Sequence, residues 1–562
     1  MVVNRIIQEV KRIMKIQAFR GIGGLLSAAL LCLAAPLGWA LGDLDGVSAD
    51  LRARLDLESV AQNLRVAGTR LRSPRTVAGF YRERQFRPLW LNAEGLSSEA
   101  DAVLAAVRDA DREGLRVEDY HQSLLGDTLA LVSSGEALLN ARQLADLELL
   151  LSDAFFSYAA DLLNGRVNPK RIDDGWLGNL REWDLGLLLT GAVETSAVDT
   201  ALASLMPPHQ GYQRLKMALA LYRELARQGG WPTLPENIKL KAGSRGSVVD
   251  TLRQRLRISG DLTIGTAAGE PFDLLLDAAV RRFQRRHGLP DDGVVGPRTL
   301  AALNVPVDER IRQLELNLER WRWLPEELGE RHIQVNITDF RMSVMENDQQ
   351  VLDSLVVVGR SSRPTPVFSA NMSYLVFSPL WYVPRSIAVK DKLPVLKRDP
   401  YALKRQGIRI FNTRTGKEIN PGSVNWNRVT AKNFHYRLRQ DPGANNALGR
   451  VKFMFPNPHS VYLHDTSSRH LFQRDRRTYS SGCVRISEPM ALAEYLLRDN
   501  GDWNRERIVQ ATGQRRERSV RLGQEVPVHL LYWTAWVNDD GSIHFRQDIY
   551  DRDPRLAEVL AI

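Results

Sequence analysis

The hydrophobic pattern predicts a multi-domain α+β protein, because its period changes along the chain. Apolar residues recur at helical spacing over residues 73–235, short helices flank a tight turn over residues 236–306, and period two takes over from His332. A run of helices followed by a run of strands builds separately packed units rather than an alternating α/β sheet. At 562 residues the chain is too long for one core. Its composition, 44% hydrophobic and 25% charged, is that of a folded globular protein and excludes a fibrous or wholly disordered chain.

The apolar run at residues 21–40 follows a basic leader and ends in small residues at Gly38 and Ala40, the pattern of a signal peptide. Met14 opens a more compact version, so translation starts at Met1 or Met14. The alternative is an uncleaved anchor, since about eighteen apolar residues just span a bilayer. Cys32 follows Leu31, where a lipoprotein acceptor takes a small residue, so lipidation is not expected. Either way the remainder is exported. The formal charge is +10, of which Arg5, Lys11, Arg12, Lys15 and Arg20 against Glu9 supply +4. The mildly basic remainder suits an acidic polymer. No Lys/Arg block with interleaved aromatics stands out, so nucleic acid is not an expected partner.

Residues 41–72 are polar, with a short helical signal and no strong core pattern, and read as a tether. In residues 73–235, Ser98 is placed to cap a helix carrying Val103, Ala106, Val107 and Ala110, which runs out at Gly114. Leu144, Leu147, Leu151, Phe155, Tyr158 and Leu162 mark a long amphipathic helix stopped by Asn164-Gly165 and Pro169. Leu215, Leu219, Tyr222 and Leu225 mark another. This helical region carries no visible chemistry and reads as a scaffold. In residues 236–306, Leu276, Val280 and Phe283 share a helix face that ends at His287-Gly288, with Gly288 as the left-handed stop. Residues 307–330 form an amphipathic connector. From 331 to 545 many short β-branched and aromatic runs separated by Gly, Pro and Asn predict a β-sandwich or barrel. Its rhythm lapses over about 385–447, read as an inserted lid, and 546–562 is left as a C-terminal tail.

Only two cysteines occur, Cys32 and Cys483, and the first lies in the leader. A lone exported thiol forms no internal disulfide and is a poor metal site, leaving a buried apolar residue or a nucleophile. The surroundings favour the nucleophile. A thiol attacks as thiolate, and an imidazole that takes and returns its proton makes it useful near neutral pH. His464 ends an apolar strand segment nineteen residues before Cys483. Gly482 permits close backbone approach, and amides around Cys483 suit an oxyanion hole worth about 3 kcal/mol per donor. Arg485 falls on the same strand face as Cys483 if the segment is extended, placed for a substrate carboxylate. His459 and His470 flank His464 without a carboxylate at ligand spacing, so no metal is expected, and His435, His529 and His544 read as surface or strand residues.

Two resemblances attach to these motifs. The order Phe283-Gln284, Gly288-Leu289, Asp292-Gly293 and Gly296-Pro297-Arg298-Thr299-Leu300 resembles the small three-helix peptidoglycan-binding domain, implying a wall-binding module or, alternatively, a spacer. His464-Asp465-Thr466 with Ser480-Ser481-Gly482-Cys483-Val484-Arg485 resembles the signature of the L,D-transpeptidase (YkuD-type) catalytic domain, as do Arg363-Pro364-Thr365-Pro366 and Trp381-Tyr382-Val383-Pro384-Arg385 upstream. Ser481 stands where the commonest form of that signature has a second histidine, leaving His464 as the sole base.

The resemblance implies a periplasmic enzyme without cofactor. Cys483 is then the nucleophile, His464 the base and Gly482 part of the catalytic turn, while Arg485, Ser480, Ser481 and Tyr462 shape the substrate site. It also implies a reaction. Cys483 attacks a donor tetrapeptide stem at the L-centre of meso-diaminopimelate, D-alanine leaves, and the diaminopimelate amine of an acceptor stem resolves the thioester as a 3-3 cross-link. Carbapenems would acylate the same thiol, and cell-wall synthesis proteins are conceivable partners. Hydrolysis, lipoprotein anchoring or a noncatalytic wall-binding role are the alternatives.

Overall fold

The computed structural model describes residues 44–562 except 57–63, 93–94, 134–138, 174–175, 177–179 and 264–267, with backbone alone at 131–133. The leader, Cys32 and the signal-or-anchor question lie outside the described residues.

The segment read as a tether is instead part of the first core. Helix α1 (Leu44–Leu55) buries Val47, Leu51 and Leu55, four residues apart on one face. Its Arg54 pairs with Asp146 at 2.6 Å on α2 (Ala141–Asn164). Asn140 and Gln143 form a reciprocal capping box at the start of α2. Buried on nearly every side, α2 carries Glu148, whose carboxylate accepts from Trp90 N and Leu91 N at 2.8 Å, from Leu89 N at 3.0 Å and from the Tyr81 hydroxyl at 2.5 Å. The stripe around Val103 forms a helix over Ser98–Arg108, but Ser98 is its first residue and Ser97 flanks it without a side-chain cap.

In the next unit Ser247–Ile258, Leu274–Arg286 and Pro297–Leu303 are helical around Leu252, Leu276, Val280, Phe283 and Leu303. Gln284 explains the glutamine in its motif: its amide nitrogen donates to Asp292 Oδ1 and its oxygen accepts from Gly293 N, both at 2.9 Å, which holds the Asp-Gly turn. Gly288 has φ +64°, as a left-handed helix stop requires.

The connector is a central shaft rather than a spacer. Helix α3 (Val307–Arg322) stacks Trp321 on Trp533 with ring centroids 4.4 Å apart. Its Asn317 accepts from Thr534 N at 2.9 Å, and its Glu319 accepts from Val167 N at 2.9 Å. The C-terminal segment is a packed element as well. Helix α4 (Arg552–Leu560) buries Leu556 and Leu560 against Val167, Ile172 and Leu316.

The β-rich unit is built from β1 (Arg331–Asn336), β2 (Arg341–Glu346), β3 (Gln349–Gly359), β4 (Phe368–Phe377), β5 (Val451–Met454), β6 (Leu463–His464), β7 (Thr478–Ser480), β8 (Val484–Ile486) and β9 (Arg518–Leu531). The ladders run β1-β2-β3-β8-β6-β5-β4-β9 and back to β1, so the sheet closes on itself. β7 continues the edge begun by β2: Val356 N donates to Phe340 O, and Val358 N, two residues on, donates to Arg477 O. Between a sandwich and a barrel, both open from the sequence, this closed ladder is the barrel-like arrangement. The hairpin Ala535–Val537 with Ile543–Phe545 lies outside it and packs on α3. Between β4 and β5 an inserted unit has its own sheet, Trp381–Tyr382, Tyr436–Gln440 and Ile408–Asn412, and a core of Leu396, Leu403, Ile410, Trp426, Phe434 and Leu438.

Candidate active site

β6 and β8 are adjacent and parallel, with Leu463 opposite Val484 and His464 opposite Arg485. Paired residues of parallel strands point to the same side, so alternation divides the sequence cleanly. Leu463, Val484 and Ile486 enter the core. Tyr462, His464, Cys483 and Arg485 stand together on the opposite face. His464 and Cys483 are diagonal across the pair, about 8 Å between Cα positions from ordinary strand spacings.

Each group is held differently. Cys483 is half-buried, and its Sγ faces the Ser460 carbonyl at 3.8 Å. Burial pushes the thiol pKa up, opposed by the Tyr462 amide and hydroxyl and by the Arg485 charge. Burial likewise raises the Tyr462 phenol, which hydrogen-bonds the sulfur. His464 is buried, and its Nδ1 donates to the Asp465 carbonyl at 2.5 Å, leaving Nε2 as an acceptor. Desolvation and the neighbouring Arg485 charge bring its pKa down to about 3. Thiol and imidazole are therefore both neutral at neutral pH. Asp465 accepts from Arg450 N at 2.9 Å and pairs with Arg469 at 3.3 Å, which fixes the chain just past the base.

The turn before Cys483 is tied internally. Ser480 is buried; its hydroxyl donates to the Cys483 carbonyl at 2.5 Å and accepts from Gly482 N at 3.1 Å, so it holds the turn rather than lining the groove. Gly482 has φ +116°, where a side chain is strained. Its amide faces inward, whereas the Cys483 amide donates to no protein acceptor among the described residues. Ser481 accepts from Arg363 Nη1 at 3.0 Å, and the same guanidinium grips Asp391 of the inserted unit at 2.5 and 2.8 Å. Arg485 has no carboxylate partner among the described residues, and its buried Nε is unpaired. Arg360, close enough to bear on the charge of Arg485, donates through its backbone to Ser480 O at 3.1 Å.

Sequence reasoning quoted Arg360, Arg363 and Thr365 only as part of a resembling run and gave them no role in the site, and it did not place Asp391, Tyr550 or Arg552 there. The Arg-Pro-Thr-Pro run was the one local signal for part of that set. A cavity of about 2190 Å³ between the three-helix unit, α3 and the outer face of β1 and β2 contains none of the predicted site residues.

A thiol, an imidazole and a guanidinium without a carboxylate partner among the described residues thus share one face of a parallel strand pair in the closed β-unit. Residues 330–522 match the L,D-transpeptidase catalytic domain, residues 75–219 a scaffold domain and residues 245–303 a peptidoglycan-binding domain. A Haemophilus influenzae protein named "Putative L,D-transpeptidase" is 36% identical over 250 residues, 44% of this chain and 50% of that protein. The chain thus spans half the length of that curated relative. Among solved structures, an L,D-transpeptidase from Stackebrandtia nassauensis is 13% identical with a TM-score of 0.21, covering 53% of this chain and 96% of that one. One from Xylanimonas cellulosilytica is 18% identical with a TM-score of 0.17, covering 53% and 98%.

Proposed function

We propose that the protein is a cell-wall L,D-transpeptidase that works outside the cytoplasmic membrane, in the periplasm, through a thioester on Cys483. The observation that carries this reading is the alignment of Tyr462, His464, Cys483 and Arg485 on one face, with Arg485 lacking a carboxylate partner among the described residues. The Cys483 thiol gives its proton to His464 Nε2 as Sγ attacks the carbonyl at the L-centre of meso-diaminopimelate in a donor tetrapeptide stem. The oxyanion is taken by the Cys483 amide and the Tyr462 hydroxyl. Collapse breaks the amide bond, the imidazolium protonates the departing D-alanine amine, and a thioester remains. The side-chain amine of an acceptor stem then attacks, Nε2 takes its proton, and the thiol is restored as the 3-3 cross-link forms. Arg485 pairs with a carboxylate of the stem. The inserted unit, joined to the turn through Arg363, acts as a lid, and the peptidoglycan-binding domain holds the polymer.

Purified protein incubated with a disaccharide-tetrapeptide tests this by mass spectrometry. A cross-linked dimer with release of D-alanine is expected, and Cys483→Ala should abolish it. Hydrolysed tripeptide alone would reassign the acceptor to water, and no product with an intact thiol would leave a binding protein.

A further inference from the structure

The nucleophile turn is supported by residues outside the stretch matched to the catalytic domain. Thr365 is fully buried; its Oγ1 accepts from Gly359 N at 2.9 Å and donates to the Gly482 carbonyl at 2.8 Å. A trans peptide is planar, so fixing the Gly482 oxygen fixes the opposite direction of the Cys483 N–H in the same plane. Thr365 therefore aims the Cys483 amide, which meets no protein acceptor among the described residues and can face an oxyanion.

Thr365 is itself held from two distant parts of the chain. Its carbonyl accepts from Arg552 Nη2 at 3.4 Å, and that nitrogen pairs with Asp173 Oδ2 at 2.7 Å. The same carboxylate oxygen accepts from Val367 N at 3.2 Å, two residues past Thr365. Tyr550 completes the brace: its hydroxyl donates to Gly359 O at 2.6 Å and accepts from Thr365 N at 3.3 Å. The Arg552 guanidinium is sandwiched by Tyr532 and Tyr550, 4.6 and 5.2 Å from the ring centroids. Asp173 follows the long helix α2 in the scaffold region, and Arg552 opens α4.

We propose that Asp173 and Arg552 are positioning residues for the acyl transfer, so that the scaffold region and the C-terminal helix fix the aim of the Cys483 amide through Thr365. This gives the scaffold a share in the chemistry, and it rests on the assignment of Cys483 as nucleophile. Neither residue touches substrate. Their loss therefore acts on the transition state, where a misplacement of a fraction of an ångström is felt, more than on substrate binding.

The test uses the full chain with Asp173→Asn, Asp173→Glu and Arg552→Lys, each normalised to alkylatable Cys483. Asp173→Asn and Arg552→Lys should lower kcat about tenfold while KM for the donor stem stays within about twofold, and Asp173→Glu should recover part of the loss. An unchanged kcat per thiol, or a loss confined to KM, overturns the proposal. A second readout does not depend on which reaction the site performs: the pH midpoint of Cys483 alkylation should move toward that of an ordinary thiol in Asp173→Asn, as a loosened turn admits water. If wild-type protein forms no cross-link, the transpeptidase reading falls while the midpoint shift still decides the brace, and an unmoved midpoint sinks it. Should Asp173→Asn fail to fold, Arg552→Lys carries the same two readouts.

Discussion

At the residue scale the site depends on two side chains whose charge states are displaced in opposite directions. Burial holds the Cys483 thiol protonated above its ordinary value of 9.0, and burial with the Arg485 charge brings His464 down to about 3. The sign follows. A thiol with a raised pKa gains thiolate only as pH climbs through that value, and an imidazole with a pKa near 3 adds no step across neutrality. Alkylation of Cys483 by iodoacetamide, read by peptide mass spectrometry, should therefore rise in one step toward high pH, with no reactive plateau between about pH 5 and 7. A plateau there would reveal a thiolate–imidazolium pair and contradict this account. The shared face of Cys483 and Arg485 was legible in the sequence because strand alternation is local: two residues apart means the same face, whereas the place of His464 beside that face rests on the pairing of β6 with β8. The inward turn of the Gly482 amide was not, since it depends on where the Ser480 hydroxyl finds its partners.

At the element scale the inserted unit is joined to the nucleophile turn through one guanidinium. Arg363 donates to Ser481 and binds Asp391 in a two-pronged pair. That contact gives Ser481 a role at the position where the commonest signature carries histidine. Arg363 raises no demand on the acyl transfer itself, so Asp391→Asn should raise KM for the donor by about three- to tenfold with a smaller effect on kcat. Hydrogen exchange across residues 385–447 should rise in the same variant. Unchanged exchange would show that the pair does not fasten the insertion. Elements with long periodic stripes, such as α2, were visible in advance. The tether and the tail were misread because α1 and α4 are short, and each owes its stability to partners about 90 to 400 residues away, which periodicity within a window cannot reveal.

Across the whole molecule, α3 and the helical region are bound into the catalytic unit rather than strung beside it. Trp321 meets Trp533, Glu319 reaches Val167, and Asp173 reaches Arg552. The helical region depends in turn on Glu148, which satisfies three backbone amides and the Tyr81 hydroxyl in a fully buried setting. Glu148→Ala leaves those donors unpaired and should cost about 3–5 kcal/mol in urea unfolding. A loss below about 1 kcal/mol would mean that water replaces the carboxylate. The domain succession could be read from changes of hydrophobic period, but the contacts between domains could not, because buried ion pairs leave no periodic trace. The central claim is that acyl transfer passes through Cys483. The most direct measurement is to quench the protein during reaction with a tetrapeptide stem and map its covalent mass. The peptide containing Cys483 should carry the tripeptide acyl group, sensitive to hydroxylamine, with D-alanine released in equal amount; a cross-link formed with no acyl mass on Cys483, or formed by Cys483→Ala, would contradict it.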